Sequence, residues 1–222
     1  MRRTILFLSL IFNLSAFSQR NTIVILNSSF EERPRLSTVP HGWADLGFSG
    51  ESPPDIHPNG FWGVNKKAFD GHTYVGMVAR KNGTWERMGW PLPFPLLKDS
   101  CYQFSLHLSK SMEYLSSMIL RETGNSTLFA DSVYNFQTPL ILKIMASNGP
   151  VKTEEKNTDL SFLAQSPPIH HGEWKKYTFT FKMNKEYNYL ILESYYSDQN
   201  PVNGHLLIDG LSNIVPVNSC QN

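Results

Sequence analysis

His205-Leu206-Leu207-Ile208-Asp209-Gly210-Leu211-Ser212-Asn213-Ile214-Val215 is the stretch on which the fold turns. Aliphatic and β-branched residues fill it, as they fill strands. One acid interrupts it, with glycine directly behind. An Asp-Gly step inside a strand pattern marks a bulge or turn, because glycine tolerates the positive φ that a bulge asks for. The expected partner lies at the other end of the chain. Thr22-Ile23-Val24-Ile25-Leu26 is a short apolar run, followed by Asn27-Ser28-Ser29-Phe30-Glu31-Glu32. Domains often bring their two ends together, and this pairing would place Glu31 near Asp209.

Residues 1–18 read as a signal peptide. Met1-Arg2-Arg3 is a positive start, Thr4 to Leu14 is almost unbroken apolar sequence, and Ala16-Phe17-Ser18 is a small-x-small cleavage site. The mature chain then begins at Gln19, and residues 19–222 form the expected single β-sandwich domain. The apolar run is too short to span a bilayer comfortably, so no transmembrane segment is expected after signal removal. No cysteine follows the cleavage site, which argues against a bacterial lipid anchor there. The expected location is periplasmic, outer-membrane-associated or extracellular.

Composition narrows the function classes. Twenty Lys and Arg balance nineteen Asp and Glu, a net charge of +1, and no basic block occurs. That removes the electrostatic footprint of a nucleic-acid binder. Aromatic residues make up 13% of the chain against 18% charged residues, a balance that suits a β-rich exported protein. Cys101 and Cys220 are the two cysteines. In an exported chain they are a candidate disulfide, the alternative being two free thiols.

From Glu31 to Pro58 the chain is rich in Pro, Gly and Ser and resists helix. Loops of this length in compact domains are usually functional. Thr73–Arg80 reads as a strand, Asn82-Gly83 as a hairpin signal and Trp85–Trp90 as the returning strand, which Pro91, Pro93 and Pro95 are expected to break. Cys101–Leu108 alternates, with Tyr102, Phe104, Leu106 and Leu108 inward. Ser111–Leu120 fits either a helix or a strand, and Arg121–Asn135 looks like loop. Pro139–Met145 reads as a strand, and Asn148–Asp159 as a surface excursion. Trp174–Lys182 alternates again, with Tyr177, Phe179 and Phe181 inward. Tyr189–Leu192 is apolar on both faces, as in a strand covered on both sides. Short strands separated by turn chemistry predict an all-β, two-sheet antiparallel sandwich.

Several motifs occur in one order. Asn27, Phe30 and Glu31 come first, then Gly42-Trp43. Tyr102, Phe104 and Ser105 follow, then Trp174, Tyr177 and Phe179. Ile208, Asp209, Leu211, Ser212 and Ile214 close the set. This order resembles the galactose-binding-like, jelly-roll carbohydrate-binding modules. It also resembles exported jelly-roll domains that precede peptidoglycan-binding modules in some Gram-negative outer-membrane proteins. Family members carry Asp-Asn near the end, where this chain has Asp209-Gly210. The resemblance implies a structural Ca²⁺ where the first and last strands meet, with Glu31 and Asp209 as its carboxylates and backbone carbonyls completing an oxygen shell.

Sugars are bound by flat rings plus fixed polar groups. Trp43, Trp62, Trp85 and Tyr196 are the candidate rings. Asp55, His57, Arg80 and Glu86 are the candidate polar groups, Arg80 as a bidentate fork. Each has a plain structural alternative, as core, loop plug or Asx-turn. No nucleophile elbow or His-Glu-x-x-His occurs, and Gly47-Phe48-Ser49-Gly50 lacks the second glycine at the required spacing. Asp55 and His57 would share a strand face as an acid–base pair. The leading expectation is therefore a non-catalytic module whose partner is a glycan or another cell-envelope component. The alternatives are an envelope polysaccharide hydrolase using Asp55, His57 and Glu86, and a purely structural outer-membrane-associated protein.

Overall fold

The computed structural model describes residues 21–121, 127–156, 159–198 and 200–220, with no side-chain description for 117–132. The expected signal peptide lies outside the described residues. The strands are β1 (Ala44–Asp45), β2 (Asp55–His57), β3 (Tyr74–Ala79), β4 (Arg87–Leu96), β5 (Cys101–Lys110), β6 (Leu115–Arg121), β7 (Thr127–Asn135), β8 (Leu140–Ser147), β9 (Ser161–Gln165), β10 (Lys175–Lys182), β11 (Tyr187–Tyr196), β12 (Gly204–Asp209) and β13 (Val215–Val217). One sheet runs β1-β4-β11-β8-β9. The other runs β10-β5-β12-β3-β2, with β13 also on β5, and β6 and β7 form a separate hairpin. The pairings are antiparallel. Among the described residues no helix is long and apolar enough to cross a membrane.

Alternation places the core. Tyr102, Phe104, Leu106 and Leu108 of β5 meet Phe179 and Phe181 of β10, Val75 and Met77 of β3, and Leu190 and Leu192 of β11. A fully buried side chain of this size contributes about 1.5–3 kcal/mol. Tyr177 is only partly buried, at the core's margin. β11 is covered on its other face too, where Tyr189 and Ile191 pack with Leu46, Met145 and Val151.

The two ends of the chain do meet. Ile23 and Ile214 exchange N–H···O bonds of 2.8 and 3.0 Å, and the Leu211 N–H donates to the Ser28 carbonyl at 2.8 Å. β12 pairs with β5 as far as Asp209↔His107, and β13 resumes at Val215↔Gln103. Residues 210–214 on the closing segment therefore face residues 104–106 on β5. This is an enlarged bulge, and Gly210 sits at its start with φ 57°. The Ser212 hydroxyl receives the Ser105 N–H at 2.8 Å inside it. A Cys101–Cys220 disulfide then fastens the tail to the start of β5.

Two expectations need correction. Pro91, Pro93 and Pro95 do not end β4, which runs through them to Leu96. β1 pairs with β4 only at Met88 and Gly89, so beyond them one side of β4 has no strand partner among the described residues. Prolines at alternate positions direct their missing donors to one side, and an unpaired side costs no ladder bond. Of the two readings open for Ser111–Leu120 the strand holds, as β6 over Leu115–Arg121, whereas the expected loop Arg121–Asn135 is corrected, since it contains the partner strand β7. The β-branched and aromatic residues there were diluted by polar ones, which hid the pattern. Strand β9 escaped the sequence reading because Ser161–Gln165 alternates weakly.

Candidate functional site

A cleft of about 260 Å³ opens on the outer face of the second sheet. Leu207 of β12 contributes to its floor. Gly63, Val64, Asn65 and Lys66 form one wall, and Lys110, Ser111, Met112, Glu113 and Gly172 the others. The wall at residues 61–66 follows from a tight turn, Phe61–Gly63, entered through Gly60 with φ 74°. Trp62 itself holds φ 56°, which lays its ring against Tyr114 at 5.9 Å between centroids. Glycine is required at Gly63, whose φ is 82°, and space is tight at Gly172 too. A Cβ on Gly63 would stand 2.7 Å from Glu113 Cδ, and one on Gly172 2.7 Å from Met112 Sδ.

Hydrogen bonds hold the walls. The Gly172 carbonyl accepts from Lys66 Nζ at 2.6 Å and from Ser109 Oγ at 2.9 Å. Ser111 Oγ donates to the Glu113 carbonyl at 2.6 Å. Lys66 Nζ also lies 5.3 Å from the Trp174 ring centre. Burial lowers the Lys66 pKa, and the nearby Glu173 charge opposes that shift. Among the described residues, the Lys110 ammonium and the Glu113 carboxylate carry no hydrogen bond or ion pair. Both are therefore available to a ligand. Met112 of the lining is 61% exposed, and Phe61, two residues before Gly63, is 56% exposed.

The residues singled out from sequence lie mostly elsewhere. Trp43 is core, 6% exposed and packed 5.5 Å from Phe30. Tyr196 is also core, and its hydroxyl donates to the Arg80 carbonyl at 2.7 Å. Trp85 is wedged edge-on among Phe48, Tyr195 and Tyr196. The expected ring platform does not assemble, because these rings bury more apolar area inside the sandwich than they would on a loop. Trp62 alone adjoins the cleft, as the residue before Gly63 of its lining.

Asp55, His57, Arg80 and Glu86 do come together, but as an interior cluster. Arg80 Nη2 donates to Glu86 Oε1 at 2.6 Å and to Ser52 Oγ at 2.8 Å. Glu86 Oε2 accepts the Val78 N–H at 2.9 Å. Burial pushes Glu86 up to about 8 against the pull of Arg80. Asp55 and His57 share a face of β2 as expected, with Oδ2 and Nε2 3.9 Å apart. Asp55 accepts the Ser37 N–H at 2.7 Å and the Tyr114 hydroxyl at 3.5 Å. Burial raises Asp55 to about 6 and lowers His57 to about 4. His57 is fully buried and Asp55 nearly so, which leaves the pair facing no open cleft.

Glu31 and Asp209 both grip one segment, residues 69–73. Glu31 accepts the N–H groups of His72 and Thr73 at 2.9–3.3 Å. Asp209 Oδ2 accepts from Phe69 and Asp70 at 2.8 and 3.1 Å, and its Oδ1 from Gly210 at 2.7 Å. Burial raises Asp209 to about 6, against the pull of these N–H bonds. A cation needs carbonyl or carboxylate oxygens around it, whereas here N–H donors converge on the carboxylates. The donor set does not fit Ca²⁺. Asp209→Asn is expected to cost about 1–3 kcal/mol, since it replaces a charged acceptor of backbone donors. Thermal melts of wild type and variant should show no recovery on adding calcium.

Sequence reasoning missed Lys66, Lys110, Met112 and Glu113. A usable signal was Asn59-Gly60-Phe61-Trp62-Gly63, two glycines bracketing two rings, which is turn chemistry that presents aromatics.

No protein-family model matches the chain, and no curated protein matches it. Solved structures do. The K3 cleaved adhesin domain of Lys-gingipain from Porphyromonas gingivalis aligns at a TM-score of 0.50 with 11% identity, over 87% of this chain and 98% of that one. The fold is a jelly-roll β-sandwich. The K2 adhesin domain of Lys-gingipain aligns at 0.48 with 11% identity, over 88% and 98%. The CBM22-1 xylan-binding domain of Paenibacillus barcinonensis Xyn10C aligns at 0.47 with 14% identity, over 86% and 93%. At these identities the likeness concerns the sandwich alone, and residues of the cleft are not carried over from any of them.

Proposed function

We propose that this chain is an exported, non-catalytic binding module that takes a glycan of the cell envelope or another surface in the cleft beside Trp62. The observation that carries this reading is the uncommitted Lys110–Glu113 pair over an apolar floor. A carboxylate accepts two sugar hydroxyls and an ammonium donates to a third, while the exposed Met112 side chain receives an apolar sugar face. Phe61 and Trp62 immediately precede Gly63 of the lining. The likeness to an adhesin domain agrees with a recognition role, and the burial of Asp55 and His57 weighs against the hydrolase alternative.

Calorimetric titration with a panel of soluble glycans, near neutral pH, tests the reading. Lys110→Ala and Glu113→Ala are each expected to weaken the best binder roughly 10- to 100-fold, the loss of one charged hydrogen bond. The melting temperature should hardly move, because neither side chain is buried. No reducing ends should be released. Binding to no member of the panel, or binding indifferent to both substitutions, would overturn it.

A further inference from the structure

We infer that His57 and His205 form a pH-sensitive latch beneath the cleft, which releases its roof as the solution turns acidic. The inference regulates the site proposed above, but its test needs no ligand.

The two rings lie on β2 and β12, the strands either side of β3, 5.3 Å apart and edge to face. His57 is 0% and His205 1% exposed. No nitrogen of either ring has a hydrogen-bond partner among the described residues. Gly76 lies beneath them, and a Cβ there would run into His205 Nε2 and His57 Cδ2. Tyr114 covers His205 at 4.2 Å between ring centres, and Trp62 in turn covers Tyr114. The same elements build the cleft. Leu207 follows His205 on β12 by two residues and so shares its face. Ser111, a lining residue, donates its N–H to the His205 carbonyl at 3.2 Å.

Burial disfavours an imidazolium in this pocket. It would gain a buried charge whose cost the Asn59 side chain and the Asp55 carboxylate, 3.9 Å from His57 Nε2, offset only in part. Burial accordingly holds His57 near 4 and His205 well below the usual 6.5. Lifting Tyr114 lets both return toward that ordinary value. The closed roof is therefore fully favoured above about pH 6.5 and loses favour as pH falls toward 4.

The surrounding groups fix the net effect. Asp55 on β2 works in the opposite sense. Burial raises it to about 6, so it holds a proton when closed and releases one on opening, between about pH 4 and 6. Glu86 keeps its Arg80 and Val78 N–H partners whether or not Tyr114 is in place. The Tyr74 and Tyr114 phenols are pushed upward and stay neutral. Asp209, which raises Tyr74 from further along β12, stays bound to the N–H groups of residues 69, 70 and 210. Opening thus takes up two protons and returns one. Its equilibrium constant rises about tenfold per pH unit between about pH 6 and 4.5.

Hydrogen exchange on the free protein, corrected for intrinsic rates, reads this directly. The reporters are the N–H groups of Ser111, Tyr114 and Phe136, bonded to the His205 carbonyl, Asn135 Oδ1 and the Tyr114 carbonyl. Their protection should fall about tenfold per pH unit below pH 6, while N–H groups of β11 keep theirs. Asp55→Asn should steepen the fall toward a hundredfold per unit, and His57→Leu should flatten it. Should the histidine variant not fold, nitrogen-labelled imidazole spectra of wild type decide instead. Both rings should remain neutral at pH 5.5 in the closed protein. Flat protection in wild type, or an imidazolium signal for either ring at pH 5.5, overturns the latch. Failure of the glycan panel near neutral pH leaves it standing and sinks only the proposed ligand.

Discussion

Glu193→Gln is expected to destabilise the fold by about 3–5 kcal/mol, a fall in melting temperature of roughly 6–20 °C. Glu193 stands at the centre of a row across three strands, opposite Arg87 on β4 and Lys143 on β8. Its Oε2 accepts from Arg87 Nε at 2.7 Å and lies 2.5 Å from Nη2, and Lys143 Nζ is 3.9 Å from Oε1. Arg87 and Glu193 are 5% and 2% exposed. Glutamine keeps the shape and removes the charge. The guanidinium cannot give up its proton, so it would remain charged and buried with only neutral acceptors, the glutamine oxygen and the Val151 carbonyl 3.2 Å from Nη1. Arg87→Met should cost less, because Glu193 keeps the Lys143 ammonium 3.9 Å from Oε1. The double variant Arg87→Met/Glu193→Leu should recover most of the loss, since apolar residues of similar volume commonly replace a buried ion pair at little cost. Chemical denaturation of the three variants checks the order. A Glu193→Gln protein within about 1 kcal/mol of wild type would refute the assignment of this row as a buried charge network.

Replacing Cys101 and Cys220 together by serine is expected to cost about 2–5 kcal/mol. The bond closes a loop between residues separated by 119 positions. In the chain-entropy picture it acts on the unfolded state by removing most of its long-range freedom. Native contacts near it survive its loss, because Val215 and Val217 still pair with Gln103 and Cys101's backbone on β5. The cleft should therefore keep its affinity while the denaturation midpoint drops. A thiol reductant on wild type should reproduce the shift of the double variant. If neither treatment moves the midpoint, the tail contributes nothing that β13 does not already supply.

The sandwich was legible wherever one strand face is core and the other is not. Tyr102–Leu108 and Tyr177–Phe181 wrote their register into alternation, and Asp209-Gly210 announced the bulge that lets the closing segment follow β5 twice. Strand β4 was misread because proline was taken as a break, when what matters is whether its missing donor faces a neighbour. The site was less legible. Trp43 and Tyr196 satisfy the composition of a sugar platform as well as that of a core, and only burial separates the two. Lys110, Met112 and Glu113 carry no local pattern, since residues 63–66, Gly172 and Leu207 must fold against them before a cleft exists. Arg87 and Glu193 carry no signal in the sequence, since nothing in their neighbours along the chain reveals the apolar cover over β11.

The run of prolines along β4 has a consequence for how copies of the molecule meet. A strand docking from another molecule would look for N–H groups on that rim and find three of them missing. Oligomerisation by sheet extension is thereby discouraged on that side. The opposite rim of the same sheet, β9, has no such guard and presents Phe162 at 57% exposure. Self-association in concentrated solution should start there, and a lysine at Phe162 should suppress it.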